Sequence, residues 1–375
     1  MENTLETKYT INTAPALTWN WLKSNRDEVT VNATFMQADA EYKSLPKGIT
    51  AESIDANFPV KSAVSNIPDK KYGDEAKSAQ NAKITTAAKQ TNEELTALIN
   101  ETVKNPQSFI IKGKVEEPLI LSLSSEADTI SVQNIIAEEN SQATVVLLYT
   151  GNPSTQIIQT KILAKEYAKL HIIKVQLLGN STTQFDDTQI AEADNAEVHF
   201  TQLELGGQHV DSGLYTELRG YKAAFKSKVA YLCKNEQYLD MNHIVYHFGK
   251  KTTCDMKVNG TVKDNAIKSY RGTIDFKNGC CGSKGNEMEE TLLLSPKAIN
   301  KSLPVILCDE EDVEGEHGAT IGRLSSEILF YMESRGISEK EAEIIMSRAK
   351  IQAIADIIPD DEIKNQISNW LDDNN

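Results

Sequence analysis

Five cysteines (Cys233, Cys254, Cys280, Cys281, Cys308) and six histidines (His171, His199, His209, His243, His247, His317) carry the softest metal-binding chemistry in this 375-residue sequence. Thiolate and imidazole suit iron, zinc and copper. No two cysteines form a C-x-x-C pair, which excludes a zinc-knuckle or ferredoxin-type site held within one segment. A metal site here must be assembled from distant positions or shared with a second chain.

The adjacent pair Cys280-Cys281 lies in the glycine-rich stretch Asn278-Gly279-Cys280-Cys281-Gly282-Ser283-Lys284-Gly285. On a strand, neighbouring side chains diverge, so both could serve one ion only in a turn. The simpler reading is two small loop residues. Cys308 follows Leu303-Pro304-Val305-Ile306-Leu307, where core packing is the commoner fate of a thiol. Cys233 and Cys254 sit inside strand-like runs and read as structural. His317 stands apart, in Asp312-Val313-Glu314-Gly315-Glu316-His317-Gly318-Ala319-Thr320-Ile321-Gly322-Arg323. A histidine bracketed by glycines is either an exposed ligand or a group that orders its loop through Glu316 or the backbone. The candidate metal residues are therefore His317, Cys308, Cys280 and Cys281. His243 and His247 point the same way on a strand and could flank a surface site or line one sheet face.

Catalytic signatures are missing. The sequence contains no GxxxxGK[ST], GxSxG, HExxH or GxGxxG match. Net charge is −15, which opposes phosphate backbones and anionic membrane surfaces, so neither nucleic acid nor membrane is an expected partner. The opening residues Met1-Glu2-Asn3-Thr4-Leu5-Glu6 are acidic, without the apolar centre of a secretory leader. A cytoplasmic location is expected, with the cysteines kept as thiols.

The elements that must position these residues change character along the chain. Residues 1–104 read as a helical and irregular region. It holds an apolar cluster after Pro15 (Leu17, Trp19, Trp21, Leu22) and a polar stretch over 66–93 that reads as a loop or loosely attached helix. From about Ser108 short β-type runs follow one another, such as Ala143-Thr144-Val145-Val146-Leu147-Leu148-Tyr149 and Ala196-Glu197-Val198-His199-Phe200. Alanines at 143, 168, 196 and 224 open successive runs at a period of roughly 25 to 28 residues. Two strands per period and no helices fit a β-helix of stacked coils over 105–320. An evenly spaced β-sandwich fits the pattern as well. The ends of a solenoid need covers, expected from the N-terminal region and from a helical tail over 321–375. In the tail, Ser325 or Ser326 caps one helix that ends before Gly336, Ser338 and Glu341 form a capping box, and Asp360 caps the last helix. The middle helix is expected to present Ala342, Ile345, Met346, Ala349, Ala353 and Ile357 on one side. The last presents Ile363, Ile367, Trp370 and Leu371.

The stretch from His243 to Arg335 resembles the SufB/SufD family of iron–sulfur cluster assembly proteins. The resemblance rests on His247-Phe248-Gly249-Lys250-Lys251-Thr252, Ser269-Tyr270-Arg271-Gly272-Thr273-Ile274, Leu292-Leu293-Leu294-Ser295-Pro296-Lys297-Ala298, Asp312 through Gly322, and Phe330-Tyr331-Met332-Glu333-Ser334-Arg335-Gly336-Ile337. It implies a mainly β fold, a right-handed parallel β-helix with helical ends. It implies a non-catalytic scaffold subunit that pairs with a SufB-like chain through the core and binds a SufC-like ATPase through the C-terminal helices, a homodimer being the other pairing. Iron or a nascent iron–sulfur cluster would be shared transiently with SufB, and no nucleotide would bind this chain. In the SufB branch a cysteine stands near the position of Glu289 and a glutamate at that of Gly318, so the resemblance favours the SufD branch. There the histidine matched by His317 faces the SufB cysteine across the interface. Many SufD-type chains carry a cysteine where this one has Gly315. The rival readings are a structural adaptor that never touches metal and a carbohydrate-active β-helix protein.

Overall fold

The computed structural model describes residues 7–15, 24–25, 27–31, 34–53 and 93–374. The cluster after Pro15 and nearly all of the 66–93 stretch lie outside the described residues. Four short strands come first: β1 (Thr7–Ile11), β2 (Asp27–Val31), β3 (Met36–Gln37) and β4 (Ile49–Ser53), followed by helix α1 (Glu93–Thr102). The strands β5 (Gln107–Ile111), β6 (Leu119–Ser125), β7 (Thr129–Ala137), β8 (Gln142–Gly151), β9 (Thr155–Ala164) and β10 (Lys169–Leu178) begin the repeating part. It continues with β11 (Thr183–Glu192), β12 (Glu197–Glu204), β13 (His209–Leu218), β14 (Ala224–Cys233) and β15 (Tyr238–His247). Last come β16 (Thr253–Val262), β17 (Ile267–Phe276), β18 (Ser283–Leu293), β19 (Ile299–Cys308) and β20 (Val313–Gly322). Helices α2 (Ser326–Ser334), α3 (Glu339–Ala355) and α4 (Asp361–Asp373) close the chain.

From β5 onward alternate strands feed alternate sheets. The even strands β6 to β20 form one eight-stranded sheet and the odd strands β5 to β19 extend the other, every neighbouring pair being parallel. This is a parallel β-solenoid of about eight turns, and the β-sandwich reading falls away. Both faces of each sheet are covered in the middle of the molecule. Val145 and Leu147 point into the solenoid while Val146 and Leu148 point out, and all four are buried. Burial on both sides explains why the β8 sequence is a continuous apolar run and not an alternating one.

One corner repeats from coil to coil. Asn140, Tyr167, Asn195, Lys222, Lys251 and Gly282 all have φ between +56 and +76°, and each donates its N–H to a carbonyl of the next coil. The small residue that follows each one, Ser141, Ala168, Ala196, Ala223, Thr252 and Ser283, is buried. A small side chain is required there because the chain turns inward at close quarters. The repeat column thus contains Ala168 and Ala196, but Ala143 and Ala224 lie off it by two residues and one.

The N-terminal end of the solenoid is closed. Strand β4 pairs antiparallel with β5, and Ala40 and Ile49 join the interior core. The β1–β2 hairpin and α1 lie on the outer face of the larger sheet, where Tyr9, Ile11, Val29, Leu95 and Ile99 pack on Ile130, Ile157 and Phe185. The C-terminal helices do not cover the other end. Helices α3 and α4 lie along the outer face of the eight-stranded sheet, Ile351, Ala355, Ile358, Ile363, Ile367 and Leu371 packing on Val146, Ile173, Val175, Leu203 and Ala230. The caps of the C-terminal helices are the expected ones: Ser325, the Ser338–Glu341 box and Asp360, with Gly336 left-handed after α2. The buried stripe of α3 is Ala342, Ser347, Ile351 and Ala355, not the stripe through Ile345, which stays exposed. Among the described residues no helix is long and apolar enough to cross a membrane.

Candidate functional site

The last coil, β19 and β20, terminates both sheets, and among the described residues no strand pairs with its outer edges. Every residue of β20 is partly or fully exposed, as is every residue of β19 except Leu303. His317 lies in the middle of β20, in register with Glu287 of β18. Glu287 is buried inside the solenoid, so His317 belongs to the row that faces inward and is exposed because no further coil lies over it. Burial, then the neighbouring Glu289 carboxylate, push Glu287 up to about 7.

The thiols gather at one corner of the same end. Cys280 and Cys281 occupy the turn from β17 to β18, which stacks under the turn from β19 to β20. Gly282 N–H bonds to the Asp312 carbonyl at 2.6 Å, and Gly279 N–H to Glu310 Oε2 at 2.9 Å. Cys281 Sγ donates to Asp312 Oδ2 at 2.7 Å, and that bond holds its thiol above the ordinary range. Cys308 Sγ lies 3.0 Å from the Glu310 carbonyl. Cys281 and Cys308 are exposed, whereas Cys280 is buried and burial pushes its thiol up to about 12. Cys308 is therefore not a core residue. It ends β19 in register with Phe276, with nothing stacked above it. His317 lies four residues beyond Val313 on β20, about 13 Å along the strand from that corner. The chain brings the three cysteines to one corner and places His317 on an adjacent wall. Among the described residues these four do not converge into a three-ligand group.

Three positions implied by the resemblance now have surroundings. Glu289 is buried and pairs with Lys268, also buried, while Ser302 Oγ donates to its other oxygen. A carboxylate in an ion pair thus fills the place near which the SufB branch has a thiol. At Gly315 a Cβ would stand 3.0 Å from the Phe276 ring and 3.3 Å from Ile306, so those two side chains occupy the room a cysteine would need. At Gly318 a Cβ would meet the Met288 sulfur at 2.8 Å.

His243 and His247 do not flank a surface site. Both are fully buried on the inner face of β15, against the rings of Tyr270 and Phe276, and burial lowers each to about 3. His247 Nε2 is 3.3 Å from Cys254 Sγ, and Nδ1 is 2.7 Å from Thr252 Oγ1. Cys233 and Cys254 are buried, as expected of structural residues.

Two further features escaped the sequence reading. Helix α2 buries none of its residues, leaving Ile328, Phe330 (73% exposed) and Tyr331 in solvent, as is Ile345 of α3. The only local signal was the adjacent aromatic pair Phe330-Tyr331, which widens the apolar surface of a short helix. The second is Asp27, His209 and Asp211, whose ligand atoms lie within 4.8 Å of one another. The local signal was only His209 and Asp211 at i, i+2 on a strand.

A family model described as "SUF system FeS cluster assembly, SufBD core domain" matches residues 121–350, more than half of the chain. The "Iron-sulfur cluster assembly protein SufD" of Bacillus subtilis is 28% identical over 152 residues, 40% of this chain and 35% of that protein. The "Iron-sulfur cluster assembly protein SufB" of the same organism is 27% identical over 123 residues, 33% of this chain and 26% of its own. The "Iron-sulfur cluster assembly SufBD family protein slr0074" of Synechocystis is 29% identical over 111 residues, 30% of this chain and 23% of that protein. The matched segments span about a third or less of these relatives. With its solenoid, its matching motifs and the core-domain match together, the chain belongs to the SufBD family of iron–sulfur cluster assembly proteins.

Proposed function

We propose that this chain is a SufD-like scaffold subunit that pairs with a SufB-like chain through its open coil and presents His317 at that junction to iron or a nascent cluster. The observation that carries the reading is the last coil itself: two free strand edges, an exposed imidazole over a buried carboxylate, and exposed thiols at one corner. Free edges are templates for pairing with another chain. The ligands of this chain stop short of a complete set, which suits a site finished by a partner. Cys308 and Cys281 are the thiols open to a metal, and Cys280 stands behind them. Iron enters as cargo, and the soft thiol and borderline imidazole donors fit it.

The exposed apolar surface of α2 and the neighbouring part of α3 fits a contact with a SufC-like ATPase. Nucleotide-driven movement of that ATPase would act on the solenoid through α3, which is anchored by Lys350 to Asn259 at 2.7 Å and to Glu290 of the same sheet. The chain itself carries no nucleotide loop and acts as a non-catalytic subunit in the cytoplasm. The test is cluster assembly in the purified complex. His317→Ala should lower anaerobic iron retention and cluster yield while the complex stays intact. Full cluster yield in that variant would leave a structural adaptor as the better reading.

A further inference from the structure

We propose that Asp27, His209 and Asp211 bind a divalent first-row transition cation that clasps the N-terminal hairpin to the outer face of the solenoid. Asp27 opens β2 of the hairpin. His209 and Asp211 are alternate residues of β13 and so share its outer face. His209 Nε2 lies 2.7 Å from Asp27 Oδ2 and 3.1 Å from Asp211 Oδ2. Ligand bonds of about 2.0–2.2 Å would set donors roughly 3.3 Å apart, so an ion needs the His209–Asp27 pair to open by about 0.6 Å and the His209–Asp211 pair by about 0.2 Å. One imidazole and two carboxylates are a donor set for zinc, manganese or ferrous iron.

The acids around this point are unsatisfied in a way that calls for a cation. Asp211 is 3% exposed, and among the described residues its Oδ1 has no hydrogen-bond partner. Asp240, its in-register neighbour on β15, is fully buried. Asp240 Oδ1 takes Arg271 and Asn12, but among the described residues its Oδ2 has no partner. Buried carboxylate oxygens without donors are costly. Among the described residues, the three carboxylates of Asp27, Asp211 and Asp240 meet one permanent cation, Arg271, so with His209 neutral and the acids ionised a divalent ion would balance the set. A small, mostly apolar cavity lined by Ile11, Leu95, Ile157 and Phe185 adjoins Asp211.

The occupant in competition with the ion is a proton on His209. The two are separated by titrating the metal-stripped full chain with Co2+ and Zn2+ in a Cys281→Ser, Cys308→Ser background, which removes the exposed thiols. One equivalent should bind, with a cobalt spectrum that lacks thiolate charge transfer. Asp27→Asn and His209→Ala should each weaken binding by at least about tenfold. Asp27 stands at the margin of the hairpin, so its variant tests the site without threatening the solenoid. Added metal should also slow hydrogen exchange in β1 and β2 of the parent but not of the variants. Failure of the parent to bind, or binding unaltered by Asp27→Asn and His209→Ala, would overturn the proposal.

Discussion

His317 and Glu287 face each other across the β18–β20 ladder, the imidazole in solvent and the carboxylate buried one coil below. The last coil is thus a section through a polar interior. Directly beside this pair, buried Lys268, Glu289 and Thr291 form a network that half-buried Ser302 joins from the last coil.

Glu287 makes the stability of the chain depend on pH. Its folded value is raised to about 7 against an unfolded value near 4.5. Between those values the native state holds more protons than the unfolded state, so stability falls as pH rises from about 4.5 to about 7. The contribution is at most ~3 kcal/mol. Glu287→Gln should flatten this part of the pH profile of the thermal midpoint. An unchanged profile would remove Glu287 as its source.

The Lys268–Glu289 pair should be far more sensitive to loss of one partner than of both. Glu289→Ala leaves a buried ammonium without its partner and should cost ~3–5 kcal/mol, while Lys268→Met with Glu289→Leu should cost much less. Urea denaturation of the two single variants and the double variant checks this.

Phe330→Asp should leave the fold and thermal midpoint unaltered, because α2 buries nothing and surface changes shift stability by about 0.5 kcal/mol or less. The same variant should abolish binding of a SufC-like ATPase in titration calorimetry. Retained affinity would move that contact elsewhere on the chain.

Tyr167 occupies the left-handed corner at φ +60° with its ring in solvent. Equivalent corners at 140 and 195 carry asparagine, which tolerates this conformation. Tyr167→Asn should stabilise the chain by about 0.5–1 kcal/mol in urea denaturation.

Local chemistry was readable in the sequence. The caps at Ser325, Ser338 and Asp360 sit where they were expected, because each needs only residues within one helical turn. The coil period was also readable, but its column was not. The corner is defined by backbone conformation at Asn140, Tyr167, Asn195, Lys222 and Lys251, and no single residue type marks it. Alanine therefore drew attention to Ala143 and Ala224 as well as to the true corner residues. Helix α3 carries apolar residues on more than one side, and local periodicity leaves open that Ala342, Ser347, Ile351 and Ala355 are the ones that pack on the sheet. The exposure of Cys308 depends on nothing stacking above β19, a fact about the end of the solenoid and not about the run Leu303 to Leu307. The Asp27–His209 contact joins residues 182 positions apart, beyond any local pattern.

The most direct measurement is anaerobic purification of the tagged chain from its own host, with its co-eluting proteins identified and counted and its bound iron measured. A SufB-like chain and a SufC-like ATPase should co-elute in fixed ratio, and the His317→Ala variant should recover the same proteins with less iron. Recovery of the chain alone, as a stable homodimer without ATPase or iron, would contradict the scaffold role.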